Sequence, residues 1–174
     1  MPFEANAVEL HEVGQRQWDA LIAGERHSWG GGPEEQLVWA RKQRHVGVLD
    51  GEGVPLALAG ALVADVAVGE RRFAVVGIGS VIVTRAMRGR GLARAVIEAI
   101  LAVARQLGPE RAMLFCRTEL MDLYVRFGFR PIAAAVTAEQ PGGRIAMPTE
   151  AMWAPLVAHA TWPAGEVAVL GEPF

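Results

Sequence analysis

The sequence predicts an α+β protein, a mixed central β-sheet with helices on both of its faces. Three observations carry this expectation. Apolar runs joined by short Gly-rich turns fill the first half, as antiparallel hairpins require. Strand, helix, strand, helix and strand patterns then follow in that order, which gives a mixed sheet. Between them, Phe73–Val83 is uncharged on both alternating sets, with Phe73, Val75, Val81 and Val83 on one and Val76, Ile78 and Ile82 on the other. A strand apolar on both sides belongs in the middle of a sheet.

Ala7–Val13 reads as a short first strand, and Arg16–Ala23 as a helix stopped by Gly24. Gly30, Gly31 and Gly32 mark a flexible loop. Val46–Leu49 and Leu56–Val68 are two strands joined by Asp50-Gly51-Glu52-Gly53, and a second turn at Gly69-Glu70 leads into Phe73–Val83. Gly77 and Gly79 interrupt that central strand, which signals a bulge or the close approach of another backbone. In the following helix, Ala93, Val96, Ile97, Ile100, Ala104 and Leu107 recur at spacings of three and four and form one buried stripe. Arg94 and Glu98 can pair on another face, and Gly108-Pro109 ends the helix. Ala112–Cys116 is a short buried strand. Thr118 is positioned to cap a further helix, whose stripe of Leu120, Leu123, Tyr124 and Phe127 stops at Gly128. Arg130–Ala135 and Arg144–Met147 read as strands, and the remaining tail is the least periodic part of the chain.

Composition narrows the function. The 174 residues suit a single domain spanning the whole chain, and an apolar fraction of 52% excludes a disordered one. Seventeen Lys and Arg against 19 Asp and Glu give a net charge of −2, which argues against a nucleic-acid partner. Cys116 is the single cysteine, and His11, His27, His45 and His159 lie far apart, so no disulfide framework and no metal site is expected. The first residues carry Glu4, Glu9 and Glu12 without an apolar core, unlike a secretory signal. The longest apolar stretch, Gly53–Ala64, falls well short of the ~20 residues that cross a bilayer. The expectation is a cytoplasmic protein with no membrane partner.

The chemistry concentrates in Thr84–Ala93, a basic Gly-rich loop between the central strand and a buried helix. Unpaired amides and the positive dipole end at a helix N-terminus suit phosphate oxygens. Gly89 and Gly91 let a phosphate approach the main chain, and Arg85, Arg88, Arg90 and Arg94 add positive potential. A P-loop is excluded, because the only lysine is Lys42, and a dinucleotide fingerprint is excluded because Arg94 stands where its third Gly or Ala belongs. A Gly-rich turn with solvated arginines is the plainer alternative. Tyr124, the single tyrosine, fits ordinary core packing on its apolar stripe, and Cys116 in a buried strand reads as inert. Trp29, in the Gly-rich loop, is placed to wall a pocket.

At this point the residues resemble a family. Val81–Ala93 is similar to the acetyl-CoA motif of the GNAT N-acetyltransferases, with Arg88-Gly89-Arg90-Gly91-Leu92-Ala93 matching its Arg/Gln-x-x-Gly-x-Gly/Ala signature. Leu123–Pro131 resembles that family's Tyr-x-x-x-Gly-Phe segment, and the likeness extends over about residues 46–135. The resemblance implies a cleft opened by a bulge in the central strand, with an acetyl-CoA core over about residues 73–131. Backbone groups of Val81, Ile82 and Val83 would pair with the pantetheine arm, an amide near Ile82 holding the thioester carbonyl. Arg88 and the amides of Gly89, Arg90, Gly91, Leu92 and Ala93 would hold the pyrophosphate. Tyr124 would protonate the departing thiolate. Acetyl-CoA is then the co-substrate, no metal takes part, and the acetyl group passes directly to an amine in a ternary complex.

Within the family, the arrangement looks like aminoglycoside 2′-N-acetyltransferases. The likeness rests on Ala23-Gly24-Glu25, Leu37-Val38-Trp39, the hairpin from His45, and Trp162-Pro163-Ala164-Gly165-Glu166-Val167. It implies that Glu25 and Glu166, with Glu35 as a looser candidate, contact a small cationic acceptor, and that the tail over about residues 144–174 completes its pocket. One departure stands out. The glutamate which that group carries on the central strand aligns with Gly79, and Phe73–Val83 holds no carboxylate. A water on Ser80 or Glu166 is the expected relay for the amine proton. Peptide, protein or other small-amine acceptors, or an acetyl-CoA-binding module without catalysis, stay open, as does a homodimer through the C-terminal half. The charge distribution suits transfer: four arginines gather at the phosphate loop, whereas after Arg144 there is no Lys or Arg, only Glu150, Glu166, Glu172 and the terminal carboxylate.

Overall fold

The computed structural model describes residues 5–25 and 31–174, so Trp29 and Gly30 lie outside the described residues. The chain order is β1 (Ala7–Leu10), α1 (Gln15–Ile22), a 3-10 turn (Pro33–Gln36), β2 (Arg44–Leu49), β3 (Pro55–Val68) and β4 (Arg71–Val83). A second 3-10 turn (Arg85–Met87) leads into α2 (Leu92–Ala104), followed by β5 (Arg111–Cys116), α3 (Met121–Val125) and β6 (Arg130–Pro131). The chain then forms β7 (Val136–Gln140), β8 (Gly143–Ala146), β9 (Glu150–Pro155) and β10 (Val167–Val169).

All ten strands join one sheet, in the order β6-β9-β5-β4-β3-β10-β7-β8, with β2 and then β1 continuing from the first half of β3. β4 runs parallel to β5 and β10 parallel to β7, whereas the other pairs are antiparallel. The mixed sheet expected from the hairpin-first order is present, and β4 sits near its centre between β3 and β5. Helix α2 covers one face: Val96, Ile97 and Ile100 pack with Val46, Ala59, Val76, Ile78 and Leu114. Helix α1 covers the other through Leu21 on Leu58 and Ile82. Beyond α1 on that face, Val66, Val75, Met113, Trp153 and Phe174 form a second core.

Three local expectations are corrected. Thr118 caps no helix: it opens a 3-10 turn whose cap is Arg117, and its hydroxyl donates to Glu150 Oε1 at 3.1 Å. The strand expected over Arg130–Ala135 is cut to Arg130–Pro131; one further bond to β9, from Ile132 N–H to Ala151 O at 2.8 Å, follows it, and the next strand begins at Val136. The tail without periodicity contains β9, inserted between β5 and β6 with Ala151, Met152, Trp153 and Ala154 all buried. A strand covered on both faces shows a continuous apolar run rather than an alternation, so periodicity does not mark it.

Candidate active site

Two features of β4 open an edge in the middle of the sheet. Pairing with β5 covers Val76↔Ala112, Gly77↔Met113 and Ile78↔Leu114 and then stops. On its other side, the register with β3 passes from Gly60↔Gly79 to Leu58↔Ile82, so Ser80 and Val81 together oppose Ala59. This is the expected bulge, and its residue in the left-handed region is Ser80 (φ 54°), not a glycine. A non-glycine residue there costs about 1–2 kcal/mol, which the flanking strand pairs must offset.

The bulge sets which backbone groups face the gap. Thr84 N–H donates to Leu56 O at 2.9 Å, so the pair Leu58–Ile82 two residues back is also hydrogen bonded and Ile82 turns its N–H and C=O toward β3. Val81 and Val83 face away from β3, toward the opening. Ile82 is therefore not positioned to hold a carbonyl oxygen through its amide. It contributes a buried side chain under α1 instead. Arg88 Nε already donates to Val83 O at 3.2 Å.

The loop beyond β4 is shaped for an anion. Gly89 (φ 77°) and Gly91 (φ 84°) are both in the left-handed region, and a Cβ at either would meet nothing within 4 Å, so the main chain is open to approach. The first helical hydrogen bond runs from Ala95 N–H to Gly91 O at 3.2 Å. Among the described residues, the amides of Gly89 to Arg94 make no backbone bond, an array that matches a pyrophosphate. Arg90 and Arg94 border a neighbouring cleft between β1 and α2. Arg88 forks onto Glu25, with Nη1–Oε1 at 2.9 Å and Nη2–Oε2 at 2.6 Å, and this guanidinium holds the Glu25 carboxyl below the usual carboxylate range.

A cavity of about 570 Å³ lies beside the splayed edge, lined by Ser80 and Val81 of the bulge, Cys116 at the end of β5, and Tyr124 of α3. Tyr124 is held there by a Schellman ending: Phe129 N–H donates to Tyr124 O at 3.2 Å and Gly128 N–H to Val125 O at 3.0 Å, with Gly128 at φ 88°. Burial, with Cys116 as neighbour, pushes the Tyr124 hydroxyl well above the ordinary tyrosine range. Cys116 is likewise a protonated thiol, raised to about 11 by burial and then by Glu150, and its Sγ sits 3.8 Å from Met152 Sδ. Tyr124 therefore carries a proton to donate, whereas Cys116 is no nucleophile at neutral pH.

The rest of the cavity is built from residues that the sequence did not mark as site residues. Trp39, Phe115 and Phe174 supply aromatic wall. Phe174 lies over Gly77: a Cβ there would come within 2.6 Å of Cδ2 and 2.8 Å of Cδ1 of its ring. Glu34 is 8% exposed, and its Oε1 has no hydrogen-bond partner among the described residues; the buried Thr149 Oγ1 has none either. Lys42 crosses the sheet over Gly60 and Gly79, which lie opposite each other on β3 and β4. At Gly77 the close neighbour is a side chain, the Phe174 ring, rather than the expected backbone; at Gly79 it is both the Lys42 side chain and the Phe174 main chain, whose carbonyl carbon lies 2.9 Å from the position of a Cβ there.

The acidic candidates separate. Glu25 lines the cavity and is engaged by Arg88. Glu35 accepts from Gly31 N–H at 2.8 Å and does not line it; its neighbour Glu34 does. Glu166 is exposed, and its carbonyl takes the Gly69 N–H at 3.1 Å, at the Val68 end of β3. At ~3.3 Å per residue that end lies roughly 26 Å from Gly60, so Glu166 stands away from the cavity. No cluster of three or more His, Cys, Asp or Glu suited to a metal occurs among the described residues, and no helix there is long and apolar enough to cross a membrane.

A bulged central strand splayed from its parallel neighbour, followed by a Gly-rich helix start, defines a site for a pantetheine arm ending in a pyrophosphate. That is the architecture of an acyl-CoA-dependent acyltransferase. Residues 10–129 match the acetyltransferase (GNAT) family, and the chain belongs to it; it is an N-acetyltransferase with acetyl-CoA as co-substrate. No curated protein matches the sequence. Among solved structures, the chain resembles the Escherichia coli GNAT family N-acetyltransferase YhbS in complex with CoA, at 20% identity over 95% of this chain and 90% of that one (TM-score 0.64). It also resembles E. coli ElaA, at 21% identity over 86% and 98% of the two chains (TM-score 0.57). N-acetylglutamate synthase from Neisseria gonorrhoeae, complexed with coenzyme A and N-acetylglutamate, shares 13% identity over 88% of this chain and 36% of that one (TM-score 0.57). At these identities the likeness is one of fold.

Proposed function

We propose that this enzyme transfers acetyl from acetyl-CoA directly to the primary amine of a small cationic acceptor bound in the cavity beside β4. The observation that carries this reading is the meeting, in one cavity, of the bulge, Tyr124 and the buried Glu34 carboxylate with its unpartnered Oε1. A carboxylate shielded from water gains most from a ligand that brings its own positive charge. Glu34 thus takes the place of Glu25, Glu35 and Glu166 as the contact for an ammonium group. The walls of Trp39, Phe115 and Phe174 favour an amine carried on a flat apolar body. Aminoglycosides belong in the test panel, although Glu25 is spanned by Arg88 and Glu166 stands outside the cavity.

Acetyl-CoA supplies the activated acyl group. The Val81 amide, turned toward the gap, is the donor placed for the thioester oxygen. Gly89 to Ala93, with Arg88, hold the pyrophosphate. Tyr124 gives its proton to the departing thiolate. Phe174, near the end of the described tail, closes the acceptor side.

Thiol release from acetyl-CoA, measured across aryl-alkylamines, polyamines, aminoglycosides and peptides, tests this reading. Turnover with a small amine, and a rise of about tenfold or more in acceptor KM on Glu34→Gln with acetyl-CoA KM unchanged, is expected. Thermal stabilisation by CoA without thiol release against any amine would instead identify a binding module.

A further inference from the structure

Amide formation from an ammonium releases one net proton, so a group in the cavity must accept it and pass it on. β4 offers no carboxylate for this, since Phe73–Val83 contains none and Gly79 and Ser80 line the cavity there. Glu25 is engaged by the Arg88 guanidinium, and Arg88 and Arg117 are permanent cations. Tyr124 and Cys116 hold their protons. Glu34, in the reading above, holds the acceptor's charge.

We propose that Lys42 is the proton acceptor, taking the proton of the incoming ammonium on Nζ and passing it through the sheet-face wall to a second cavity. The inference rests on the cavity's being an amine site. Its geometry is unusual for a lysine. The side chain is buried, with Cγ 2.6 Å from the position of a Gly60 Cβ, Cε 2.8 Å and Nζ 3.3 Å from that of a Gly79 Cβ, so both glycines are required for its passage. Nζ donates to Ala40 O at 2.9 Å, and no carboxylate forms an ion pair with it among the described residues. Lys42 and Ser80 lie in the wall shared by the acceptor cavity and a neighbouring one of about 600 Å³. Groups facing Lys42 are Glu25, Glu34, Arg88, Cys116, Arg117, Tyr124 and the carboxyl of Phe174, whose carbon lies 2.9 Å from the position of a Gly79 Cβ, on the first side, and His11, Glu12, Arg41 and His45 on the second. Burial lowers the ammonium's hold on its proton to about 8, leaving an appreciable neutral fraction at neutral pH. His45 is itself lowered by burial, then by Lys42 and Arg41, so it stays neutral beside the protonated lysine and can carry its proton outward.

The balance closes. Lys42 Nζ accepts one proton from the ammonium; the freed lone pair forms the C–N bond as the C–S bond breaks; the thiolate takes the Tyr124 proton; and the nitrogen's second proton returns to Tyr124. Lys42 then discharges to water.

The test uses the full chain, acetyl-CoA and two probes: phenethylamine, protonated at neutral pH, and phenylhydrazine, already neutral. For Lys42→Met, kcat with phenethylamine at pH 7 should fall by about 10²-fold or more, whereas with phenylhydrazine it should change by less than about fivefold. Equal losses with both probes would make Lys42 structural and overturn the proposal, as would an unchanged rate with phenethylamine. If the unmodified enzyme acetylates neither probe and no other amine, the acceptor reading falls and takes this proposal with it. Because the chain has one lysine, selective ¹⁵N-lysine labelling reads its titration directly in the unmodified protein. A midpoint near 8 supports the assignment, and a midpoint at the ordinary lysine value overturns it.

Discussion

Phe129 is tied to Tyr124 twice, through its amide to the Tyr124 carbonyl at 3.2 Å and through its ring, edge-on at 5.9 Å between centroids. The Tyr-x-x-x-Gly-Phe pattern therefore has a physical reading independent of any family. Tyrosine is the third residue from the helix end, glycine the left-handed residue past it, and phenylalanine the apolar partner that locks the ending. This lock places the one tyrosine of the chain at the wall of the cavity.

Tyr124→Phe keeps the ring packing and removes the proton. Turnover should fall by about 10²–10⁴-fold with acetyl-CoA affinity preserved. Steady-state thiol release alongside calorimetric CoA binding checks this, and full turnover would remove Tyr124 from the chemistry.

Gly128→Ala tests the lock itself. A Cβ at Gly128 meets nothing within 4 Å, so its cost is the φ of 88° alone. About 1 kcal/mol of destabilisation is expected, or roughly 2–4 °C in Tm for a chain of this size. Turnover should fall by more than this stability loss explains, because the helix end that aims Tyr124 relaxes.

Gly77→Ala should cost about 1–3 kcal/mol, since the new methyl falls in the Phe174 ring. The same substitution made on Phe174→Ala should cost less than about 0.5 kcal/mol, the ring being gone. Chemical denaturation of the four proteins measures the coupling. Additive losses would mean that Phe174 does not rest on Gly77.

Lys42→Met predicts a pH-dependent gain in stability. The folded protein lowers the lysine from 10.5 to about 8, so between those values the unfolded chain binds more protons and stability rises with pH. Below about 8 the buried charge penalises the folded state in full, roughly 3 kcal/mol for a shift of this size. The Met variant should thus be more stable at pH 7 and lose the advantage as pH climbs through the unfolded lysine value. Denaturation midpoints at a series of pH values decide it.

How much of this was legible before the structure depends on how local each signal is. The loop of Gly89 and Gly91 and the Tyr124–Gly128 ending are written in a few consecutive residues, and both lie where their motifs put them. Glu34 was hidden by its neighbour: within Pro33–Gln36 adjacent residues point in different directions, and only one of two consecutive glutamates turns inward. Lys42 was hidden more deeply. Its path depends on Gly60 standing opposite Gly79, a register that no local pattern announces. β9 escaped because a strand buried on both faces lacks the two-residue alternation.

The Ala40 amide donates to Pro173 O at 2.7 Å, and Gln140 brackets Val38 through both its N–H and its C=O. These bonds join three distant stretches of chain, around Val38–Lys42, Gln140 and Pro173–Phe174, into a single panel that carries Trp39, Lys42 and Phe174. Residues 81–93, proposed above to hold acetyl-CoA, belong to a different stretch altogether. Donor and acceptor halves are therefore separable parts. Exchanging the panel between related chains, all three stretches together, would change which amine is accepted while leaving the acetyl-CoA machinery intact; exchanging one stretch alone would break the bonds that make it a unit.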